Sequence, residues 1–301
     1  MSGSDALPGT ASIFTADAEV LYRSDFAAQQ VVLRLQSPAI ARVAQPGSFV
    51  HVRCAEHLPM RRPLSIMRAA ADDGWIELLF RVVGRGTAAL AGVSPGDRIS
   101  LLGPIGQGFA DPAPDTRPVL IGGGVGIPPM VFLAQRLRRR AHRPIVLLGS
   151  QVPFPFDVVP SGHLLDGVPQ GTIASMALLD DWGVPCRLAS ENDFPGCYPG
   201  YVTDLAGDWL DNLDREARGA VRLYACGPAG MLEAVASLAG RFELEADLCL
   251  EEFMACGVGG CAGCVVKVAS PEGPAMRRVC VDGPVFPARA VDPEHFAQRA
   301  D

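Results

Sequence analysis

With 301 residues, a formal net charge of −7 and 49% hydrophobic content, the chain can form two or three domains with substantial cores. The acidic balance argues against general affinity for nucleic acid. The longest uncharged stretch, 118–135, holds four glycines and three prolines, a turn pattern rather than a membrane span.

Residues 1–14 read as a disordered tail, small and polar at the start, without the basic and apolar regions of a signal peptide. Nine cysteines without a secretion signal point to a reducing cytoplasm.

Residues 15–113 read as antiparallel β structure. Short apolar runs at 18–22, 31–35, 48–53, 64–68, 76–82 and 98–102 alternate with turns such as Pro46-Gly47, Asp72-Asp73-Gly74 and Pro95-Gly96-Asp97. That pattern predicts a small β-barrel, with one short helix near 87–91. Two stretches of it suit phosphate. In Arg62-Pro63-Leu64-Ser65 the guanidinium is a fixed cationic fork and the serine supplies a hydroxyl, although an Arg-Pro pair also suits a solvated edge. In Leu79-Phe80-Arg81 and the following Gly84-Arg85-Gly86-Thr87, glycines open a short helix that could cradle phosphate or form an ordinary threonine-capped turn.

From 114 to 242 strands alternate with helices, the pattern of a doubly wound α/β domain. Strands are predicted at 118–121, 145–148, 186–189 and 221–225. A helix carrying Met130, Leu133 and Leu137 on one face follows the first, with others at 202–210 and 229–239. Gly122, Gly123, Gly124 and Gly126 lie between a strand and a helix, as in a dinucleotide loop, although Pro128-Pro129 depart from the strict fingerprint. Cys226-Gly227-Pro228 ends a later strand of the same sheet, where ligands bind; the thiol suits either a nicotinamide contact or packing. The basic run Arg136, Arg138, Arg139 and Arg140 reads as a solvated helix end, or as a grip for a 2′-phosphate or a partner. The five histidines show no metal or triad spacing, and Ser65 lacks a nucleophile elbow, so no catalytic side chain is assigned.

Residues 243–301 form a third, small module. Cys256, Cys261 and Cys264 stand in C-x4-C-x2-C spacing, with Cys280 after fifteen further residues. This is the spacing of a plant-type [2Fe–2S] cluster. Structural zinc, the alternative for four cysteines, more often uses paired C-x2-C knuckles.

Together these motifs resemble the ferredoxin–NADP reductase superfamily and, within it, the electron-transfer subunits of NAD-dependent (type B) dihydroorotate dehydrogenases. The resemblance runs from about Ala18 to Pro287. It implies a multi-domain α+β chain with an FAD-binding β-barrel, a doubly wound NAD-binding domain and a C-terminal [2Fe–2S] domain. It further implies that Arg62, Pro63, Leu64, Ser65, Leu79, Phe80, Arg81, Gly86 and Thr87 hold FAD. Leu64 stands where many members carry a tyrosine against the flavin. A nicotinamide exchanges two electrons at once and a [2Fe–2S] centre one, whereas a flavin handles both, so such a chain needs cofactors held close rather than acid–base residues. The implied partner is an FMN-containing dihydroorotate dehydrogenase catalytic subunit, two of each forming a heterotetramer in pyrimidine (UMP) biosynthesis. The alternatives are a related subunit of a hydrogenase, sulfur reductase or ferredoxin:NAD(P) oxidoreductase, and a zinc-stabilised scaffold.

Overall fold

The computed structural model describes residues 13–297. The tail expected at 1–14 therefore lies outside the described residues as far as residue 12, and the first strand already begins at Phe14.

Six strands close into an antiparallel barrel in the order β1-β2-β5-β4-β3-β6. They are β1 (Phe14–Phe26), β2 (Gln30–Gln36), β3 (Phe49–Val52), β4 (Arg62–Ala70), β5 (Trp75–Arg81) and β6 (Arg98–Ile105). Alternation sets each strand's inward face: Ala18 and Val20 are fully buried, and the intervening Glu19 is exposed. Leu33, Leu35, Ile76, Leu78 and Leu101 complete the lining, and each contributes about 1.5–3 kcal/mol when buried. Helix α1 (Pro38–Val43) packs Ile40 into this core, and α2 (Arg85–Leu90) is the helix expected near 87–91. Helix α1 leaves no signal in the sequence. At six residues it is too short to show a 3.6-residue period, and tertiary burial of Ile40 and Ala41 sustains it.

A seven-stranded sheet follows in the order β12-β11-β8-β7-β13-β14-β17. Its members are β7 (Arg117–Gly123), β8 (Ile145–Gly149), β11 (Cys186–Ser190), β12 (Tyr198–Pro199), β13 (Val221–Cys226), β14 (Glu245–Cys249) and β17 (Val285–Pro287). All pairings are parallel except β14 with β17. The order runs outward from β7 and then resumes on its other side at β13, which puts a topological switch point between these two strands. Two small hairpins stand apart, β9 (Val158–Pro160) with β10 (Ala174–Met176) and β15 (Val265–Ser270) with β16 (Gly273–Arg278). The remaining helices are α3 (Ile127–Arg139), α4 (Ala177–Asp181), α5 (Val202–Asp211), α6 (Arg215–Gly219), α7 (Ala229–Phe242) and α8 (Glu294–Ala297). Among the described residues no helix is long and apolar enough to cross a membrane.

Helix α3 joins the two large units. Met130, Leu133 and Leu137 are fully buried against the sheet, as the periodicity predicts. Phe132 enters the barrel core, and Gln135 Nε2 donates to the Ala69 carbonyl of β4 at 3.3 Å. The basic run at its end is held locally: Arg136 lies 2.8 Å from Asp111, Arg140 pairs with the same carboxylate, and Arg138 lies over the Trp182 ring.

Strand β14 lies past Glu243 in the sequence yet completes the parallel sheet. The chain then leaves the sheet edge, forms the cysteine loop and the β15–β16 hairpin, and returns as β17. Leu250 N–H donates to the Pro284 carbonyl at 2.9 Å and closes the base of this excursion. Two further bonds tie it to the barrel: Gln107 N–H to Gly283 O (2.6 Å) and Gln107 Nε2 to Val281 O (3.0 Å).

The loops after β7 and β13 touch through backbone, since a Cβ on Gly126 would stand 2.3 Å from the Cys226 carbonyl oxygen. Gly126→Ala is expected to destabilise the fold by about 1–3 kcal/mol. Gly240 in α7 has open space around its Cβ position, and Gly240→Ala is expected to stabilise by about 0.5–1 kcal/mol. Thermal melts of both variants check the pair, and a Gly126→Ala melt matching that of the parent would contradict this account.

Candidate functional site

One cavity of about 1830 Å³ runs between the barrel and the sheet. Single-ligand pockets usually span ~300–1,000 Å³, so this one has room for more than one large ligand. Its barrel wall carries Arg62, Pro63, Leu64 and Ser65 from β4, Leu79, Phe80 and Arg81 from β5, and Thr87 from α2. Its sheet wall is made by the carboxyl ends of β7, β8 and β11 and by the N-terminal turns of α5 and α7. Gly123, Gly124 and Pro228 lie there, flanking the switch point. A third wall, from Cys249 to Ala255, leads to Gly263 between two of the cluster-type cysteines.

Of the residues expected to hold FAD or nucleotide, five do not line the cavity themselves: Gly86, Gly122, Gly126, Cys226 and Gly227. Gly86 lies beneath Arg62, where a Cβ would stand 3.0 Å from Nε. Arg62 donates to the Met60 (3.1 Å) and Arg61 (3.3 Å) carbonyls, and among the described residues it has no carboxylate partner. Its charge therefore remains available to an anion in the cleft. Thr87 Oγ1 accepts the N–H groups of Val83 (3.0 Å) and Gly84 (3.3 Å), fixing the turn that carries Gly86. Gly124, at φ +54°, has open space at its Cβ position and lets the chain turn out of β7.

Of the two thiols at the switch-point edge, Cys226 is fully buried and Cys249 lines the cavity. They pair in register on β13 and β14, and the Cys249 thiol, together with burial, raises the Cys226 pKa well above that of an ordinary thiol.

The cysteine loop brings its sulfurs close together. The Cys256 and Cys261 thiols are within hydrogen-bonding reach, as are those of Cys264 and Cys280. Backbone N–H groups converge on Cys256, led by Val258 at 3.5 Å, and lower its pKa to about 6. Burial, followed by the Cys264 thiol, pushes Cys280 up to about 12. Among the described residues no group of three or more His, Cys, Asp or Glu converges on a point that could hold a single ion. Two sulfide-bridged irons take two thiolates each, and Cys256 with Cys261 and Cys264 with Cys280 supply four sulfurs in the spacing of such a centre, so this donor set fits it.

Two residues of the site do not stand out in the sequence. Glu191 follows β11 and lines the cavity, with its carboxylate held by Gln151 Nε2 (2.8 Å) and the Tyr201 hydroxyl. An acidic residue just past a parallel strand was the available signal. His51 on β3 is fully buried against the cysteine loop, and a lone histidine in a strand carries no signal of that contact.

Residues 251–292 match the family model described as the iron–sulfur cluster binding domain of dihydroorotate dehydrogenase B. The chain is 34% identical over 274 residues to the dihydroorotate dehydrogenase B (NAD(+)) electron transfer subunit of Desulforamulus reducens, covering 90% of this chain and 96% of that one. It is 37% identical over 267 residues to that of Geobacillus kaustophilus, covering 86% and 91%. Among solved structures it resembles an NADH-dependent reduced ferredoxin–NADP oxidoreductase, with a TM-score of 0.73, 24% identity and coverage of 94% and 92%. It also resembles phthalate dioxygenase reductase, with a TM-score of 0.54, 14% identity and coverage of 89% and 77%. Barrel, switch-point sheet and cysteine excursion thus occur together in a sequence whose likeness to these relatives runs nearly end to end, and the chain belongs to the family of dihydroorotate dehydrogenase B (NAD(+)) electron transfer subunits.

Proposed function

We propose that the chain passes electrons from a dihydroorotate dehydrogenase catalytic partner, through a [2Fe–2S] cluster and FAD, to NAD+. The observation that carries this reading is the continuity of one cavity from Arg62 and Ser65, past the switch point, to Gly263 between Cys261 and Cys264. A flavin, when bound, supplies the exchange between two-electron and one-electron carriers. The chain's own residues bind, orient and exclude water. We assign the flavin to the barrel, residues 15–113, with Arg62 on its pyrophosphate and the apolar Leu64 in place of an aromatic cover. The nucleotide falls to the α/β unit, residues 114–242 together with β14, and the cluster to the excursion that follows. The N-terminal turns of α5 and α7 face the cleft and suit a dinucleotide phosphate. Glu191 suits a ribose 2′-hydroxyl and repels a 2′-phosphate, which favours NAD over NADP. No side chain is assigned a proton-transfer role.

Phe253, Val258 and Met276 are 86%, 50% and 60% exposed on or beside the cluster excursion. Apolar exposure of this kind suits a protein interface, here with an FMN-containing catalytic subunit in a complex of two of each. All nine cysteines are free, which suits the cytoplasm.

Cys261→Ser is expected to remove the cluster while FAD stays bound. NADH-dependent dye reduction should persist and transfer from the partner should stop, and continued partner-coupled turnover would reject the relay. Arg62→Ala is expected to weaken FAD binding roughly ten- to hundredfold, the weight of a charge-assisted hydrogen bond. Flavin per chain after gel filtration reads this, and unchanged retention would reject the phosphate role. Glu191→Ser is expected to narrow the preference for NADH over NADPH by about tenfold, through a higher KM for NADH and a lower one for NADPH. An unaltered ratio would remove Glu191 from the nucleotide site.

A further inference from the structure

His51 is fully buried on β3, and among the described residues neither ring nitrogen has a hydrogen-bond partner. Buried polar groups in folded proteins are rarely left unpaired, so an orphan pair on one imidazole points to a partner supplied by a ligand. The ring lies against Gly257, where a Cβ would stand 2.8 Å from Cε1 and 3.0 Å from both Nδ1 and Nε2. Gly257, at φ +69°, follows Cys256 directly. Arg61 donates to the His51 backbone carbonyl at 3.2 Å rather than to the ring, and the Phe49 ring centre is 5.9 Å away. A neutral imidazole carries one N–H donor. Backbone N–H groups already point at Cys256, and the barrel adds this one side chain against the residue that follows it.

We propose that His51 is a positioning and tuning residue for the cluster, its ring N–H donating to the Cys256 sulfur or to an adjacent sulfide when the irons are present. The inference rests on the [2Fe–2S] reading of the cysteine loop. A donor there stabilises the added negative charge of the reduced centre and raises its reduction potential. It also gives the barrel, which carries the flavin-suited strand β4 beside β3, a direct contact with the cluster site.

The test uses holoprotein isolated without oxygen, labelled with ¹⁵N-histidine and reduced with dithionite. Pulsed electron paramagnetic resonance is expected to show a histidine nitrogen coupled to the reduced cluster, and His51→Leu to lose that coupling with iron and flavin contents unchanged. In a redox titration, the oxidised-to-reduced ratio of the His51→Leu cluster at fixed poise should rise about tenfold, which is 59 mV for one electron. His51→Gln, which keeps an N–H donor, should recover part of the shift. A cluster signal without histidine coupling in the parent protein overturns the proposal even if the leucine variant fails to fold, and so does an unchanged potential in a folded leucine variant. A parent protein with no paramagnetic signal at all overturns the cluster reading itself, which separates the two failures.

Discussion

The arrangement depends on one closure at the sheet edge. β14 leaves the parallel sheet and β17 returns antiparallel to it, with Leu250 N–H on the Pro284 carbonyl at the neck. Everything between belongs to the cysteine loop and its hairpin. A loop tied only at its ends could swing. This one is also fastened to the barrel through Gln107, so three structural units share one corner of the cleft. Buried Cys264, Val266, Val268, Cys280 and Phe286 then give the excursion a core continuous with that of the sheet. Two of the four candidate ligands are thus fixed by packing, while Cys256 and Cys261 stay nearer the surface.

The cleft follows from sheet topology combined with α3. Because strand order reverses between β7 and β13, no crossover helix covers their carboxyl ends, and a crevice opens there. The loops around it must be thin, and Gly126 against the Cys226 carbonyl shows how little room remains. Helix α3 backs the crevice and packs on β4 of the barrel, so the strand bearing Arg62 and Ser65 is held in register with the nucleotide-suited loops. Cationic, apolar and acidic groups are thereby distributed around one trough: Arg62 and Arg81 with Leu64 and Leu79 on the barrel, and Glu191 just past β11 on the sheet.

Much of this was legible in the sequence because local chemistry dictates it. The cysteine spacing, the glycines after β7 and the alternation of the barrel strands are short-range signals that tertiary context did not override. All six expected barrel strands are present, some with ends extended by the pairing of neighbours, as in β1 (Phe14–Phe26), whereas β3 is shorter than expected and β5 is shifted by one residue. What escaped is nonlocal. α1 exists because the barrel end needs filling. β14 and β17 are short strands whose sheet membership depends on partners, β13 among them, far away in sequence. His51 and Glu191 acquire meaning only from what folds against them, Gly257 in one case and the cavity in the other.

The bonds that fix the excursion to its surroundings are mostly main chain to main chain: Leu250 to Pro284, Gln107 to Gly283, and the β14–β17 ladder. Peptide groups are the same whatever side chain they carry. Substitutions can therefore accumulate on every exposed face without altering the separation between barrel and cysteine loop. A solved structure only 24% identical to this chain shares its fold at a TM-score of 0.73, as expected when a fold is held through backbone rather than through particular side chains.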